Sequence, residues 1–110
     1  MNKYVFGVDL GGTTVKMGLF AEDATLIDKW EIPTDKAEKG SKILPDIAAS
    51  IQEKINEKSL EKENIIGVGI GVPGPVDSKG VIYTAPNLGW DVFNVNDTLS
   101  EMLGLAVKAG

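Results

Sequence analysis

The run Val-Asp-Leu-Gly-Gly-Thr-Thr-Val-Lys at residues 8–16 constrains this chain more than any other stretch. Before it stands a short apolar run, Tyr4, Val5 and Phe6. After it, Val15, Met17 and Leu19 alternate with Lys16, Gly18 and Phe20 at the period of a half-buried strand. The stretch therefore predicts strand, tight turn, strand. Gly11 and Gly12 make the turn: both accept positive φ and neither has a side chain to hold off a ligand, which leaves backbone N–H groups free to face an anion. Thr13 and Thr14 add hydroxyl donors and Lys16 a positive charge, so the hairpin is suited to gripping phosphate. Asp9 adds a condition. A carboxylate beside a phosphate repels it unless a divalent cation lies between them, and hard oxygen ligands of this kind suit Mg²⁺. The combination points to a metal-nucleotide, against the plainer alternative of an ordinary Gly-Gly hairpin with an exposed Asp.

The chain has 110 residues, the size of one domain able to bury about 60–70% of its unfolded surface. Its 43% hydrophobic and 25% charged residues are those of an ordinary globular protein. A net charge of −5 argues against a nucleic-acid surface, which needs a basic stripe. Cysteine and histidine are both absent, which removes disulfides, thiolate nucleophiles, imidazole bases and the usual zinc ligands together. Acid–base chemistry is left to carboxylates, Lys or Tyr. Gly7 and Asp9 interrupt the N-terminal apolar stretch and no small-residue cleavage site follows, so a signal peptide is not expected. No run approaches the roughly 18 apolar residues of a membrane span. A cytoplasmic enzyme without membrane or nucleic-acid partners is the expectation.

Beyond the hairpin, a polar turn at Glu22, Asp23 and Ala24 leads into a third run, with Leu26, Asp28, Trp30 and Ile32 on one side and Pro33 at its end. Three strands with short connections predict an antiparallel meander. Residues 34–42 read as a loop. Ile43, Ile47, Ile51 and Ile55 then recur every four residues, predicting a helix of about five turns, with Ser41 as N-cap and Pro45 in the first turn. The mixed charges of residues 57–64 read as a solvated helix end. In Ile-Ile-Gly-Val-Gly-Ile-Gly-Val at residues 65–72, Ile66, Val68, Ile70 and Val72 face one way and Gly67, Gly69 and Gly71 the other, so a helix or a ligand must approach the bare face closely. Gly69, Gly71 and Gly74 fit a dinucleotide-binding spacing, but Pro73, Pro75 and the turn at residues 77–80 forbid the helix that this motif must open. Val81, Ile82 and Tyr83 suggest a short strand. Asp97 is the expected N-cap of a helix ending at Gly104, and Leu105, Ala106 and Val107 suggest one more strand. A helix between the meander and the Gly-rich strand makes a right-handed crossover to a parallel strand, the opening of a ribonuclease-H-like half-unit in the α/β class.

The phosphate-loop residues Asp9-Leu10-Gly11-Gly12-Thr13-Thr14-Val15-Lys16 resemble the first phosphate loop of the sugar kinase, Hsp70 and actin superfamily. With Gly69-Ile70-Gly71-Val72-Pro73-Gly74-Pro75-Val76-Asp77 and Pro86-Asn87-Leu88-Gly89-Trp90, the chain resembles the ROK family of bacterial hexose kinases and sugar-responsive repressors across residues 5–107. The resemblance implies that residues 1–110 are the N-terminal lobe of an ATP-dependent hexose kinase, with glucose as the foremost substrate and a second lobe elsewhere. Asp9, Gly11, Gly12, Thr13, Thr14 and Lys16 would then hold the phosphates of Mg²⁺-ATP, Asp9 acting through the metal. Gly74, Pro75, Pro86 and Asn87 would border the sugar, although Gly74 also suits a turn after Pro73 and Asn87 a turn after proline. Trp90 reads as a core or interface aromatic and Asp91 as a solvated turn. The family's catalytic Asp follows the strand that begins here at Leu105, so the base is expected just after Gly110, and Ala106 stands where the family commonly has proline. The 110 residues alone are expected to be inactive, and the parent protein is expected to be a homo-oligomer. The rivals are a sugar-responsive repressor, which would carry a helix-turn-helix before the phosphate loop where this chain enters its first strand at Tyr4, an actin- or Hsp70-like ATPase, and a non-catalytic binding lobe.

Overall fold

The computed structural model describes residues 2–83 and 85–110, with Asn87 described by its backbone alone. Tyr4–Leu10 (β1), Thr14–Ala21 (β2) and Leu26–Pro33 (β3) form an antiparallel meander. Helix Ile43–Glu57 (α1) follows, then Ile65–Gly71 (β4), Val81–Ile82 (β5), Phe93–Asn94 (β6), helix Val95–Leu103 (α2) and Val107–Ala109 (β7). The main sheet runs β3-β2-β1-β4-β7, with β4 parallel to both β1 and β7, and β5 with β6 makes a small antiparallel ladder. This is the strand order of a ribonuclease-H-like half-unit.

Alternation along β1 and β2 turns Phe6, Val8, Leu10, Val15, Met17 and Leu19 to one face, where they are buried. Both helices close on that face. Helix α1 buries Ile43, Leu44, Ile47, Ala48, Ile51 and Ile55, and α2 buries Val95, Leu99 and Leu103, all in one continuous core. At the meander's edge Trp30 Nε1 donates to Ser50 Oγ at 2.8 Å, and Lys54 Nζ reaches Asp28 at 2.7 Å while lying 4.6 Å from the Trp30 ring centre. The opposite face is an open hollow of about 730 Å³ whose lining includes Gly7, Asp9, Lys16, Gly18, Phe20 and Gly69. The Phe20 ring lies across Gly18, where an added Cβ would come within 2.8 Å of it.

Several local expectations are corrected. Both strand readings miss a bulge: Ile27 is extra between the Leu19–Asp28 and Phe20–Leu26 pairs, and Ile66 between the Tyr4–Ile65 and Val5–Gly67 pairs. Leu26 therefore joins the open face, and Ile65 rather than Ile66 enters the core, leaving Ile66 53% exposed. Helix α1 has 15 residues, about four turns, and starts after Lys42 without a side-chain cap. Asn94, not Asp97, caps α2: its Oδ1 accepts the Asp97 N–H at 2.9 Å, and Asp97 lies in the first turn, where its charge favours the helix dipole. Gly104 ends the helix in the left-handed region, as expected, and the last strand begins two residues later than Leu105.

Asp77 organises the excursion between β4 and β5. Its Oδ1 accepts the N–H groups of Val81 at 3.0 Å and Lys79 at 2.9 Å, and its Oδ2 accepts the Tyr83 hydroxyl at 3.0 Å. Those bonds, that from Val81 foremost, hold its carboxyl below the usual carboxylate range, and the facing carboxylate raises Tyr83. A depressed acid contributes stability that is present above its unfolded pKa and is lost as pH falls through its folded value. Two outcomes follow from the packing. Ile51→Ala should cost about 2–5 kcal/mol, read as a lower urea midpoint, and a loss under about 1 kcal/mol would place Ile51 outside the core. Asp77→Asn should lower the midpoint near neutral pH, with the gap to the unaltered chain closing toward about pH 3; a gap independent of pH would contradict the role of the charge.

Candidate functional site

The β1–β2 hairpin turns through Gly11, Gly12 and Thr13, and its backbone divides sharply into used and unused groups. The Gly11 N–H donates to Thr14 O at 3.1 Å and closes the turn. Neither glycine adopts the left-handed region, so the expected need for positive φ is absent, and at Gly11 a need for space takes its place. A Cβ on Gly11 would stand 2.8 Å from Thr14 O, too close for any other residue, whereas a Cβ on Gly12 would meet nothing within 4 Å. Among the described residues the Gly12 and Thr13 N–H groups have no backbone acceptor, and the Thr13 and Thr14 hydroxyls have no protein partner. Thr13 is exposed and Thr14 half-buried. The turn thus carries donors without protein acceptors and is open at Gly12.

Asp9 and Lys16 oppose each other across the β1–β2 ladder, and Lys16 opposes Glu31 on its other side. All three are exposed. None joins an ion pair among the described residues; the pairs present involve Asp28, Lys54, Glu57 and Lys58. Asp9 Oδ1 lies 4.0 Å from where a Gly71 Cβ would stand, and the Gly110 carbonyl is 3.9 Å from the same point. The C-terminal ends of the parallel strands β1, β4 and β7 therefore meet beside Asp9, the edge at which open α/β sheets hold ligands. No cluster of three or more carboxylates that could cage a metal occurs among the described residues.

The four residues expected to border a sugar fall on two neighbouring segments. Gly74 and Pro75 follow the end of β4, and Pro75 O accepts the Tyr83 N–H at 3.2 Å, which brings that bend beside the strand leading to the second segment. There the backbone at residues 85–90 folds into a closed knob. Leu88 N–H donates to Ala85 O at 2.9 Å, Ala85 and Trp90 bridge, and Pro86–Leu88 makes a 3₁₀ turn. Pro86 is exposed, Leu88 and Trp90 are buried, and the Asn87 side chain lies outside the described residues. Trp90 stacks edge-on against Phe93 at 4.9 Å and donates its Nε1–H to Gly40 O at 3.0 Å, a core aromatic as its sequence context suggests. Asp91 is exposed.

Two residues with structural claims on the site escaped the sequence reading. Thr34, placed there in a loop, is buried, and its Oγ1–H donates to Gly11 O at 2.8 Å while its N–H donates to Thr13 O at 2.9 Å. The available signal was a hydroxyl directly after Pro33, the residue that ends β3 beside the turn. Asn96 accepts the Ala109 N–H on Oδ1 at 2.7 Å and donates Nδ2–H to Lys79 O at 3.3 Å, fastening the end of β7; nothing in its local sequence distinguishes it from a helix-surface residue.

A sequence model of the ROK family matches residues 5–110. The glucokinase of Halalkalibacterium halodurans is 38% identical over 107 residues, covering 96% of this chain and 32% of that protein. The structure of a ROK family glucokinase from Streptomyces griseus in complex with glucose and AMPPNP superimposes with a TM-score of 0.79 at 26% identity, over 96% of this chain and 32% of that one. A ROK family transcriptional regulator, homologous to the E. coli MLC protein, superimposes equally well, with a TM-score of 0.79 over 97% of this chain and 27% of that one; at 17% identity it shares the fold alone. The chain spans about a third of the length of the glucokinases it matches. With a family match over nearly its whole length and the sheet order of the actin- and hexokinase-like fold, the chain belongs to the ROK family.

Proposed function

We propose that residues 1–110 are the N-terminal, phosphate-binding lobe of a cytoplasmic ATP-dependent hexose kinase, with glucose as the foremost substrate. The observation that carries this reading is the hairpin turn: among the described residues, donors without protein acceptors on Gly12, Thr13 and Thr14 stand at a turn open at Gly12, with an unpaired carboxylate and an unpaired ammonium on the strands it joins. Backbone N–H groups and hydroxyls at a tight turn are the donors that phosphate oxygens require. Lys16 supplies charge to the same anion. Asp9 fits a magnesium ion held with the nucleotide, because a single carboxylate with no protein cage around it suits an ion that keeps water and phosphate oxygens as its other ligands. Such an ion supplies charge neutralisation on the transferring phosphoryl group.

Transfer then needs a hexose hydroxyl placed in line with the terminal phosphorus. Gly74, Pro75, Pro86 and Asn87 lie on the two segments assigned to the sugar. The hydroxyl oxygen forms the new bond to phosphorus, the bond to the ADP oxygen breaks, and the hydroxyl proton passes to a carboxylate assigned to the segment after Gly110. Residues 1–110 are assigned binding and orientation, and turnover is assigned to the whole protein, which we assign as a homo-oligomer. The regulator reading keeps a sugar site and has no need of a phosphate-binding turn. A turn with free donors favours the kinase.

Two substitutions in the full-length protein test this. Asp9→Ala should lower kcat by roughly 10²-fold or more, the size of losing one positioned electrostatic group, in an assay of glucose-dependent ADP formation; unchanged turnover contradicts the role of Asp9. Gly12→Ala enters open space and should leave the melting temperature unaltered while raising the KM for Mg-ATP about tenfold, the loss of one charge-assisted hydrogen bond. An unaltered KM would remove the phosphate from that space.

A further inference from the structure

The hairpin and the knob at residues 85–90 are far apart in sequence, yet one short segment, residues 34–40, is fastened to both. At its start Thr34 holds two carbonyls of the hairpin turn, Gly11 O and Thr13 O, through its hydroxyl and its N–H. At its end Gly40 O receives the Trp90 indole N–H, and the Gly40 Cα is pressed so closely on Leu88 O that a Cβ there would collide with it. From the other side Gly89 packs on Lys39, with its Cβ position only 3.0 Å from Lys39 Cα. Between the two anchorages the backbone is forced: Glu38 and Lys39, which are not glycines, join Gly40 in the left-handed region, with φ of 54°, 60° and 72°. Such dihedrals persist only where the surroundings over-determine them.

We propose that residues 34–40 are a strap that sets the spacing between the phosphate hairpin and the sugar-side knob, with Thr34 and Trp90 as its positioning residues; the inference rests on the kinase reading. Its physical basis is that in-line phosphoryl transfer depends on donor and acceptor placement, and that an error of about 1 Å can cost roughly 10²-fold in rate. The strap uses the carbonyls of the turn and leaves the Gly12 and Thr13 N–H groups and the Thr13 and Thr14 hydroxyls untouched. Cutting it therefore changes where the two half-sites stand relative to one another, and leaves the groups of each in place.

The test uses the full-length protein. Thr34→Val keeps the volume and shape of the side chain and removes only the bond to Gly11 O. It should lower kcat about tenfold or more while both KM values stay within about threefold, and Thr34→Ser should restore kcat. Trp90→Phe should act in the same way, and the Thr34→Val/Trp90→Phe pair should lose no more than the worse single variant, since both cut one strap. Melting temperatures identify variants that fold, and if Trp90→Phe does not, the Thr34→Val and Thr34→Ser pair decides alone. An unaltered kcat in folded Thr34→Val, a loss confined to one KM, or multiplying losses in the double variant would overturn the strap. If the unaltered protein makes no ADP in response to any hexose, the kinase reading falls and the strap with it, whereas normal turnover with an indifferent Thr34→Val removes the strap alone.

Discussion

Strand β1 is paired on both sides, antiparallel to β2 and parallel to β4, and its alternation buries Phe6, Val8 and Leu10 while placing Gly7 and Asp9 on the opposite face. A slip of one residue would reverse every side chain, driving the Asp9 carboxylate into a core of isoleucines and leucines with no partner to offset its desolvation. The Asp9 charge and the loss of Phe6, Val8 and Leu10 from the core thus oppose any other register of β1. The same register brings the end of β1 level with the ends of β4 and β7, so the packing of the core is what presents Asp9 at the edge where the hairpin, Gly71 and the Gly110 carbonyl meet.

What was legible in the sequence was what depends on local period. The isoleucines of α1, the alternation of β1 and β2, the parallel Gly-rich strand and the Gly104 stop all emerge where the pattern places them. What was not legible depends on partners distant in the chain. The extra residues at Ile27 and Ile66 exist only relative to neighbouring strands, so no inspection of either strand alone reveals them. Asn94 takes the cap from Asp97 because its pairing in β6 fixes where the helix can begin. At the candidate site, the turn's glycines and threonines were legible as a group. Thr34 was not, since its place depends on the register that sets Pro33 opposite Thr14.

The left-handed turn at Glu38 and Lys39 is the clearest case of tertiary structure overriding local preference. Two non-glycine residues in that region cost about 1–2 kcal/mol each. Against that cost stands the Trp90 indole, buried to 6% exposure and stacked on Phe93. A tryptophan buries on the order of 150–250 Å², worth about 4–6 kcal/mol as an upper bound, and its bond to Gly40 O adds about 1 kcal/mol. Burial outweighs strain, so the turn holds its shape although neither Glu38 nor Lys39 favours it. The geometry at the site end of the chain is in this sense set by a side chain fifty positions away.

Likeness of fold cannot by itself separate the functions hosted by this family, because a transcriptional regulator and a glucokinase superimpose on the chain with the same TM-score of 0.79. The discriminating chemistry is local. Under the kinase reading, the donors without acceptors at the turn and the unpaired Asp9 and Lys16 have a use in holding phosphate that a lobe signalling only the presence of sugar would not need. Water satisfies such groups in the free protein, and under the kinase reading an anion would replace that water at several of them together. Gly12 is the residue on which this turns. Its Cβ would touch nothing within 4 Å, so the packing of the fold does not call for a bare position there, and a difference between glycine and alanine at Gly12 would report on what enters that space.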